Sequence, residues 1–365
     1  MANLVVGAGV TGATIARRLA ESGKQVLVID ERPHIAGNAY DYRDANGIMI
    51  HKYGSHIFHT NSAEVWKFLS RFTNFNTYMH QVLAVLDGIP AAIPFNLRTL
   101  RQVFPPSLAA RLEEKLLAQF PYNTKIPILE FQKQNDDDLK FLARYVYEKV
   151  FLHYTAKQWG TEPTGVDGAV TARVPVYISC DGRYFQDIYQ GIPTEGYTEM
   201  IRKILAHPYI EVRLNTRYTD IKHSFSRIFY TGAIDEFFEY KWGELPYRSV
   251  YFKLEEYNRP YYQQNAVINY PCNYDFTRIH EYKYYLRDSS PKTVIAKEYS
   301  TSFRRGENER YYPVPAPQNE QLYRKYLQEA AKLPNVCFAG RLGEYKYYDM
   351  DKAVARALAT VKEFI

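Results

Sequence analysis

At 365 residues the chain is too long for one small hydrophobic core, and its 46% hydrophobic content is enough to build two or three lobes. The net charge of +6 contains no long Lys/Arg run, which excludes a nucleic-acid track and suits a few arginines serving an anionic small molecule. No apolar run approaches the ~18–20 residues that span a bilayer.

The first element is a strand, Leu4-Val5-Val6, running into Gly7-Ala8-Gly9-Val10-Thr11-Gly12 and a helix-period pattern through Leu19. Gly7 allows a tight turn, Gly9 lets the backbone approach a pyrophosphate, and Gly12 lets helix and strand pack closely. The helix N-terminus offers free N–H groups and its positive dipole end to phosphates. A second apolar run, Val26 to Ile29, ends in Asp30. That acid stands near the ~20-residue spacing of a ribose 2′-hydroxyl contact, which favours FAD or NAD over NADP. No signal peptide fits before this strand.

Pro33 and Gly37 mark a loop, and Asn46-Gly47 sits at the turn of a short polar hairpin. Next, His51, His56 and His59 crowd a short stretch, but with no acid among them and neither H-E-x-x-H nor finger spacing, no metal site is expected. Thr60 or Asn61 is expected to cap the helix through Trp66 and Phe68. From Asn96 to about Tyr154 the spacing is mostly helical, with Asp136, Asp137 and Asp138 in a first turn.

The run Phe151 to Gly160 is aromatic, and either a stacking wall for a base or core packing at a lobe junction accounts for it. A Pro-, Gly- and Thr-rich stretch follows, and 161–177 reads as a mobile loop carrying Arg173. Strands are expected at 210–214, including Val212, and at 227–230, the latter running into Thr231-Gly232, a strand end of the kind that closes over a cofactor. Tyr247 to Ser300 alternates as an antiparallel sheet carrying Arg248, Asn269 and Arg278. A helix at 320–333, a strand at 336–341 and a closing helix at 349–365 complete the chain.

The fold expected is α/β: a Rossmann-like FAD-binding domain (1–85, 190–240, 330–365), an inserted helical lobe (96–178) and an antiparallel β-sheet domain (86–95, 179–189, 241–329). The 34 tyrosines suit the walls of a sugar or nucleotide cleft. The three cysteines, Cys180, Cys272 and Cys337, lack metal or redox spacing, as expected in a reducing compartment such as the cytoplasm. There is no G-x-S-x-G, C-x-x-C or Walker lysine. An organic cofactor is therefore expected to carry the difficult step, with Arg173, Arg248, Arg278 and Arg341 available to grip phosphates.

The chain resembles the bacterial UDP-galactopyranose mutase family over essentially its full length. The resemblance is carried by Gly7-Ala8-Gly9-x-x-Gly12, Gly37-Asn38, His51-x-Tyr53-Gly54-x-His56-Ile57-Phe58-His59-Thr60, Tyr154-Thr155-x-Lys157-Gln158-Trp159-Gly160, Arg173-x-Pro175, Gln190-Gly191-Ile192-Pro193, Tyr247-Arg248-Ser249, Thr277-Arg278, Tyr311-Tyr312-Pro313 and Gly340-Arg341-Leu342-x-Glu344-Tyr345-Lys346-Tyr347-Tyr348-Asp349-Met350. It implies an isomerase that interconverts UDP-galactopyranose and UDP-galactofuranose, with reduced FAD as cofactor. The implied mechanism has flavin N5 attack the anomeric carbon as UDP leaves; the flavin-bound sugar opens through an iminium, recloses as the five-membered ring and is recaptured by UDP, which breaks the bond to the flavin.

The same resemblance implies Arg173, Arg278, His56 and His59 as the catalytic set. It implies a substrate pocket of Phe151, Tyr154, Trp159, Tyr184, Asn269, Tyr312 and Tyr347. For FAD it implies Gly7, Gly9, Thr11, Gly12, Asp30, Glu31, Asn38, Gly54, His56, Ile57, Val212, Thr231, Gly232, Arg248, Arg341, Asp349 and Met350. A homodimer, an external reductant such as NAD(P)H and a role in supplying galactofuranose for cell-surface polysaccharide come with it. Ala36, Tyr177 and Tyr282 depart from the family pattern, where glycine, arginine and histidine are usual. The alternatives are an amine-oxidase-type redox flavoenzyme, which prefers an uncharged aromatic cage to arginines, and a non-catalytic nucleotide-sugar or flavin-binding protein.

Overall fold

Leu4, Val5, Val26, Leu27, Val28 and Ile29 are all buried, as expected for strands covered on both faces. The computed structural model describes residues 2–160 and 174–365. In it these runs form the centre of a five-stranded sheet in the order Ile210–Arg213, Val26–Ile29, Asn3–Val6, Ile228–Tyr230, Val336–Phe338. Every neighbouring pair is parallel. The helix Val10–Glu21 packs its buried Thr14, Ile15 and Leu19 face toward this sheet and against the helix Met350–Lys362.

The chain divides into two compact units. The first comprises Met1–Tyr78, Asp187–Tyr247 and Glu309–Ile365; the second comprises Met79–Gln186 and Arg248–Asn308. The first holds the parallel sheet and the hairpin of Asp41–Arg43 with Met49–His51, whose turn contains Gly47 at φ 78. It also holds the pairing of Phe58–Thr60 with Tyr189–Gly191. The helix Ala63–Leu69 is capped by Ser62, which accepts from Val65 N, and not by Thr60 or Asn61. The Thr60 hydroxyl is occupied instead: it accepts from Ser62 N and donates to Asp351.

The second unit carries both the helical stretch and a sheet. The sheet runs Tyr247–Tyr257, Thr293–Ser302, Arg278–Glu281, Val267–Asn269, Val82–Leu86, Ile89–Ile93. All pairs are antiparallel except Val267–Asn269 beside Val82–Leu86, which is parallel. The antiparallel sheet expected from Tyr247 to Ser300 is thus present, extended by one parallel pairing, of Val267–Asn269 with Val82–Leu86. Those two strands come from separate chain segments, so no hairpin turn dictates their relative direction.

Asp136 caps the helix Asp137–Val146, accepting from Asp138 N and Leu139 N, with Asp137 and Asp138 in the favourable first turn. The helix then widens into a π-helical turn, Tyr147–Leu152, before His153–Trp159 ends at Gly160, φ 74. Such turns are frequent at functional sites. Residues 161–173 of the expected mobile loop, Arg173 among them, lie outside the described residues. Its last two, Val176 and Tyr177, are a buried strand against Lys125–Ile126 and not loop. Among the described residues no helix is long and apolar enough to cross a membrane.

Candidate functional site

The glycine turn of the first unit is built so that side chains are excluded. A Cβ on Gly7 (φ 104) would lie 2.1 Å from Thr231 Oγ1, and one on Gly12 would lie 1.9 Å from the Gly7 carbonyl oxygen. Gly9 differs: the nearest atom to a Cβ there is Gly37 Cα at 3.7 Å, so its glycine keeps space open. The helix starting at Val10 has no side-chain cap and no acid in its first turn, so no carboxylate competes for an anion there. Thr231 donates from both N and Oγ1 to Val6 O (2.9 and 2.7 Å), tying the Thr-Gly strand end to the turn.

Asp30 is stitched to the same turn. Its Oδ2 accepts from Ala8 N at 2.8 Å and its Oδ1 from Arg32 N at 3.0 Å. Glu31 is exposed beside it. Arg32, which sequence reasoning passed over, donates to Asn38 Oδ1 at 2.9 Å, pairs with Glu309 and stacks over the Tyr53 ring at 4.7 Å. Val212 sits beside Val28 on the neighbouring strand. Thr11 lies against Gly340, where a Cβ would come within 2.9 Å of its hydroxyl oxygen.

After Gly54 (φ 92), His56 Nδ1 bonds Gly54 O at 2.8 Å, and His56 N donates to His51 Nδ1 at 3.1 Å. Burial, helped by His51 and Arg341 nearby, pushes His56 down to about 4, so its ring is neutral at pH 7. Ile57 is half-buried next to it. His59 Nδ1 meets Asp187 Oδ2 at 2.6 Å, and Asn61 holds the other Asp187 oxygen. Asp187 is a second residue missed by sequence reading, because its partner is distant in the chain.

Arg341 donates to Tyr311 O (3.1 Å) and Tyr348 O (2.6 Å), with its guanidinium 5.5 and 5.0 Å from the Tyr312 and Tyr347 ring centres. Those two rings stack at 5.5 Å. Asp349 and Met350 begin the helix Met350–Lys362 immediately after this cluster. Together the blocked glycines, the open space at Gly9, the uncapped helix start and the Asp30 carboxylate fit a dinucleotide cofactor.

In the second unit, one row of cross-strand neighbours brings together Asn269, Arg278 and Glu298: Asn269 opposes Arg278, and Arg278 opposes Glu298. Arg278 Nε donates to Glu298 Oε1 at 3.0 Å, and its guanidinium lies 5.7 Å from the Tyr154 ring centre. The buried Oδ1 of Asn269 has no hydrogen-bond partner among the described residues, an arrangement that suits a ligand donor. Burial alone would raise the Glu298 carboxyl, but Arg278, His280 and Thr277 hold it down to about 2. Glu298 also escaped sequence reading; its one signal is a carboxylate in phase with buried Val294 and Ala296.

Phe151 is buried on the π-helical turn, while Tyr154 and Trp159 are half-buried on the helix beyond it. Lys157 of that helix donates to Tyr270 O and Phe276 O. Arg248 is spent locally, on Gln158 O (2.7 Å), Lys157 O (3.2 Å) and Ser302 Oγ (3.2 Å). Tyr184 is tied to His80, its N donating to His80 O, and packs edge-on against Phe185. The residues expected to contact phosphates are thus divided, with Arg278 and Arg248 in the second unit and Tyr312, Tyr347 and Arg341 in the first. No group of three potential metal ligands comes together among the described residues.

A family model described as UDP-galactopyranose mutase matches residues 149–347, and one described as an NAD(P)-binding Rossmann-like domain matches residues 5–72. A Klebsiella pneumoniae protein named "Probable UDP-galactopyranose mutase" is 38% identical over 99% of this chain and 94% of its own length. An Escherichia coli dTDP-fucopyranose mutase is 36% identical over 99% of this chain and 98% of its own. A crystal structure of reduced UDP-galactopyranose mutase matches with a TM-score of 0.72 at 14% identity, covering 99% of this chain and 93% of that one; at that identity the likeness speaks to the fold.

Proposed function

Because the chain belongs to the UDP-galactopyranose mutase family of isomerases, we propose that it interconverts UDP-galactopyranose and UDP-galactofuranose, supplying galactofuranose for cell-surface polysaccharide. The observation that carries this reading is the match to curated mutases over 99% of the chain. Reduced FAD, once bound, would supply an electron-rich N5 atom toward the anomeric carbon.

The protein's part is position and charge. Gly7, Gly9 and Gly12 admit the FAD pyrophosphate, with Thr11, Asn38, Thr231 and Gly232 around it and Asp30 and Glu31 toward the adenosine ribose. Gly54, His56, Ile57, Arg341, Asp349 and Met350 border the flavin, and Val212 and Arg248 complete the cofactor set. A neutral His56 adds no positive charge there, and Asp187 fixes the orientation of the His59 ring.

Arg278 and Arg173, with Tyr312 and Tyr347, hold the diphosphate as negative charge develops on departing UDP. Asn269, Phe151, Tyr154, Trp159 and Tyr184 receive the uridine and sugar. An external reductant such as NAD(P)H, a homodimer and a cytoplasmic location complete the reading; the three cysteines, all unpaired, suit a reducing compartment.

The test is chromatographic. Purified protein is incubated with UDP-galactofuranose and, separately, with dTDP-fucopyranose, before and after dithionite reduction. Conversion of the UDP-sugar only after reduction is expected. Equal turnover by oxidised protein overturns the cofactor's role, and turnover of the dTDP-sugar alone overturns the substrate. Amine-dependent bleaching of the flavin would instead mark a redox enzyme.

A further inference from the structure

We propose that His280 is a positioning residue for Arg278, acting through Glu298. The proposal rests on the reading that Arg278 grips the substrate diphosphate. Arg278 and His280 are two apart on the strand Arg278–Glu281 and therefore share a face. Glu298 stands directly opposite Arg278 on the next strand, and Ala296 stands opposite His280. With only a methyl group across from it, the imidazole leans diagonally to the carboxylate, within the reach expected of diagonal cross-strand neighbours.

Both oxygens of the carboxylate are engaged. Its Oε1 accepts from Arg278 Nε at 3.0 Å and from Thr277 Oγ1 at 3.1 Å, and its Oε2 meets His280 Nε2 at 3.0 Å. Both Glu298 and His280 are buried, at 6% and 2% exposure. An arginine facing an unshared carboxylate tends to take both oxygens in a two-point fork. Here His280 occupies the second oxygen, and the pair is a one-nitrogen contact at Nε. The fork is blocked, and the terminal amino groups of Arg278 are not drawn onto Glu298. Burial lowers the His280 pKa, and the Glu298 carboxylate opposes that shift.

Loss of the imidazole leaves Oε2 buried and unshared. The guanidinium then rotates onto both oxygens, and its charge turns from the diphosphate to the sheet. The test measures UDP affinity by titration calorimetry, with KM and kcat for the UDP-sugar, in His280→Leu, His280→Gln, Arg278→Ala and the Arg278→Ala/His280→Leu double variant. Flavin content and melting temperature report folding.

The expected result is about tenfold weaker UDP binding and a matching rise in KM for His280→Leu, with a smaller change in kcat. His280→Gln, which keeps an N–H donor, recovers to within about threefold. Adding His280→Leu to Arg278→Ala costs nothing further, because the effect travels through Arg278. Wild-type UDP affinity in a folded His280→Leu, or an equal loss in the Arg278→Ala background, overturns the proposal. Wild-type UDP affinity in Arg278→Ala alone overturns the reading on which it rests. If His280→Leu does not fold, His280→Asn takes its place: its shorter amide falls short of Glu298, so weakened UDP binding supports the proposal and unchanged binding overturns it.

Discussion

Replacing Gly12 by alanine sets two effects against each other. Gly12 lies in the first turn of Val10–Glu21, and on helix propensity alone alanine would stabilise by about 1 kcal/mol. The added Cβ, however, would lie 1.9 Å from the Gly7 carbonyl oxygen and 3.1 Å from Val5 Cγ1. The oxygen is backbone in a turn already at φ 104, so it cannot swing aside like a side chain. The helix must back away by more than about 1 Å, and because the obstacle is backbone the overpacking cost falls at the upper end, roughly 2–3 kcal/mol. The clash wins, and the net change is a loss of about 1–2 kcal/mol, or about 1–3 °C in melting temperature for a chain of 365 residues.

Gly9→Ala is the control. Its Cβ meets nothing closer than 3.7 Å, so the cofactor-free protein should lose at most about 1 kcal/mol, mainly at the helix start. Flavin content should nonetheless fall, because the methyl group fills the space reserved for phosphate. Differential scanning calorimetry of cofactor-stripped protein and flavin absorbance per protein separate the two. If Gly12→Ala melts at or above wild type, or Gly9→Ala retains full flavin, the steric account of the turn is wrong.

Arg278→Ala should lower kcat/KM by a factor equivalent to about 2–4 kcal/mol, measured with reduced enzyme, and leave flavin content unchanged. Ala36 holds φ 72, a left-handed conformation in which glycine pays no steric penalty; Ala36→Gly should raise stability by about 0.5–1 kcal/mol in urea titrations, after the added entropy of the unfolded chain is subtracted. His56, at about 4 in the folded state against an ordinary 6.5, disfavours protonation on folding. Stability from this group is complete above pH 6.5 and declines by up to about 3 kcal/mol as pH falls toward 4. His56→Gln should flatten that decline relative to wild type. The variant comparison isolates the group, because buried Asp41 and Asp235, with raised pKa values, act in the opposite direction. Glu298, held down to about 2, keeps its contribution through most of this window and loses it as pH falls from about 4.5 toward 2.

The parts of the fold legible in the amino-acid order are those that depend on neighbours in the chain. The glycine turn could be read because each glycine there answers a different local demand. Asp136 could be read as a helix start because its cap bonds reach only two and three residues ahead. Even at short range, competing hydroxyls mislead: Thr60 looked like a cap, yet Asp351, far along the chain, takes its hydroxyl and Ser62 caps the helix.

What stayed hidden depends on register between distant strands. The parallel pairing of Val82–Leu86 with Val267–Asn269 leaves no mark in either segment, and Asp187 shows no sign of its partner His59. Arg278 was legible through family resemblance, but the Glu298 and His280 that fix it were not, since a diagonal contact across a sheet has no sequence periodicity.

The order of elements in the first unit has a consequence for biosynthesis. The strand Asn3–Val6 and helix Val10–Glu21 leave the ribosome long before Val336–Phe338, which completes their sheet, and Met350–Lys362, which covers the helix. Until residues 350–362 have been translated, the apolar face of Val10–Glu21 lacks its permanent neighbour. A nascent chain arrested before residue 350 should therefore bind chaperones and be cut readily by protease within its first helix, whereas the released full-length chain should resist both.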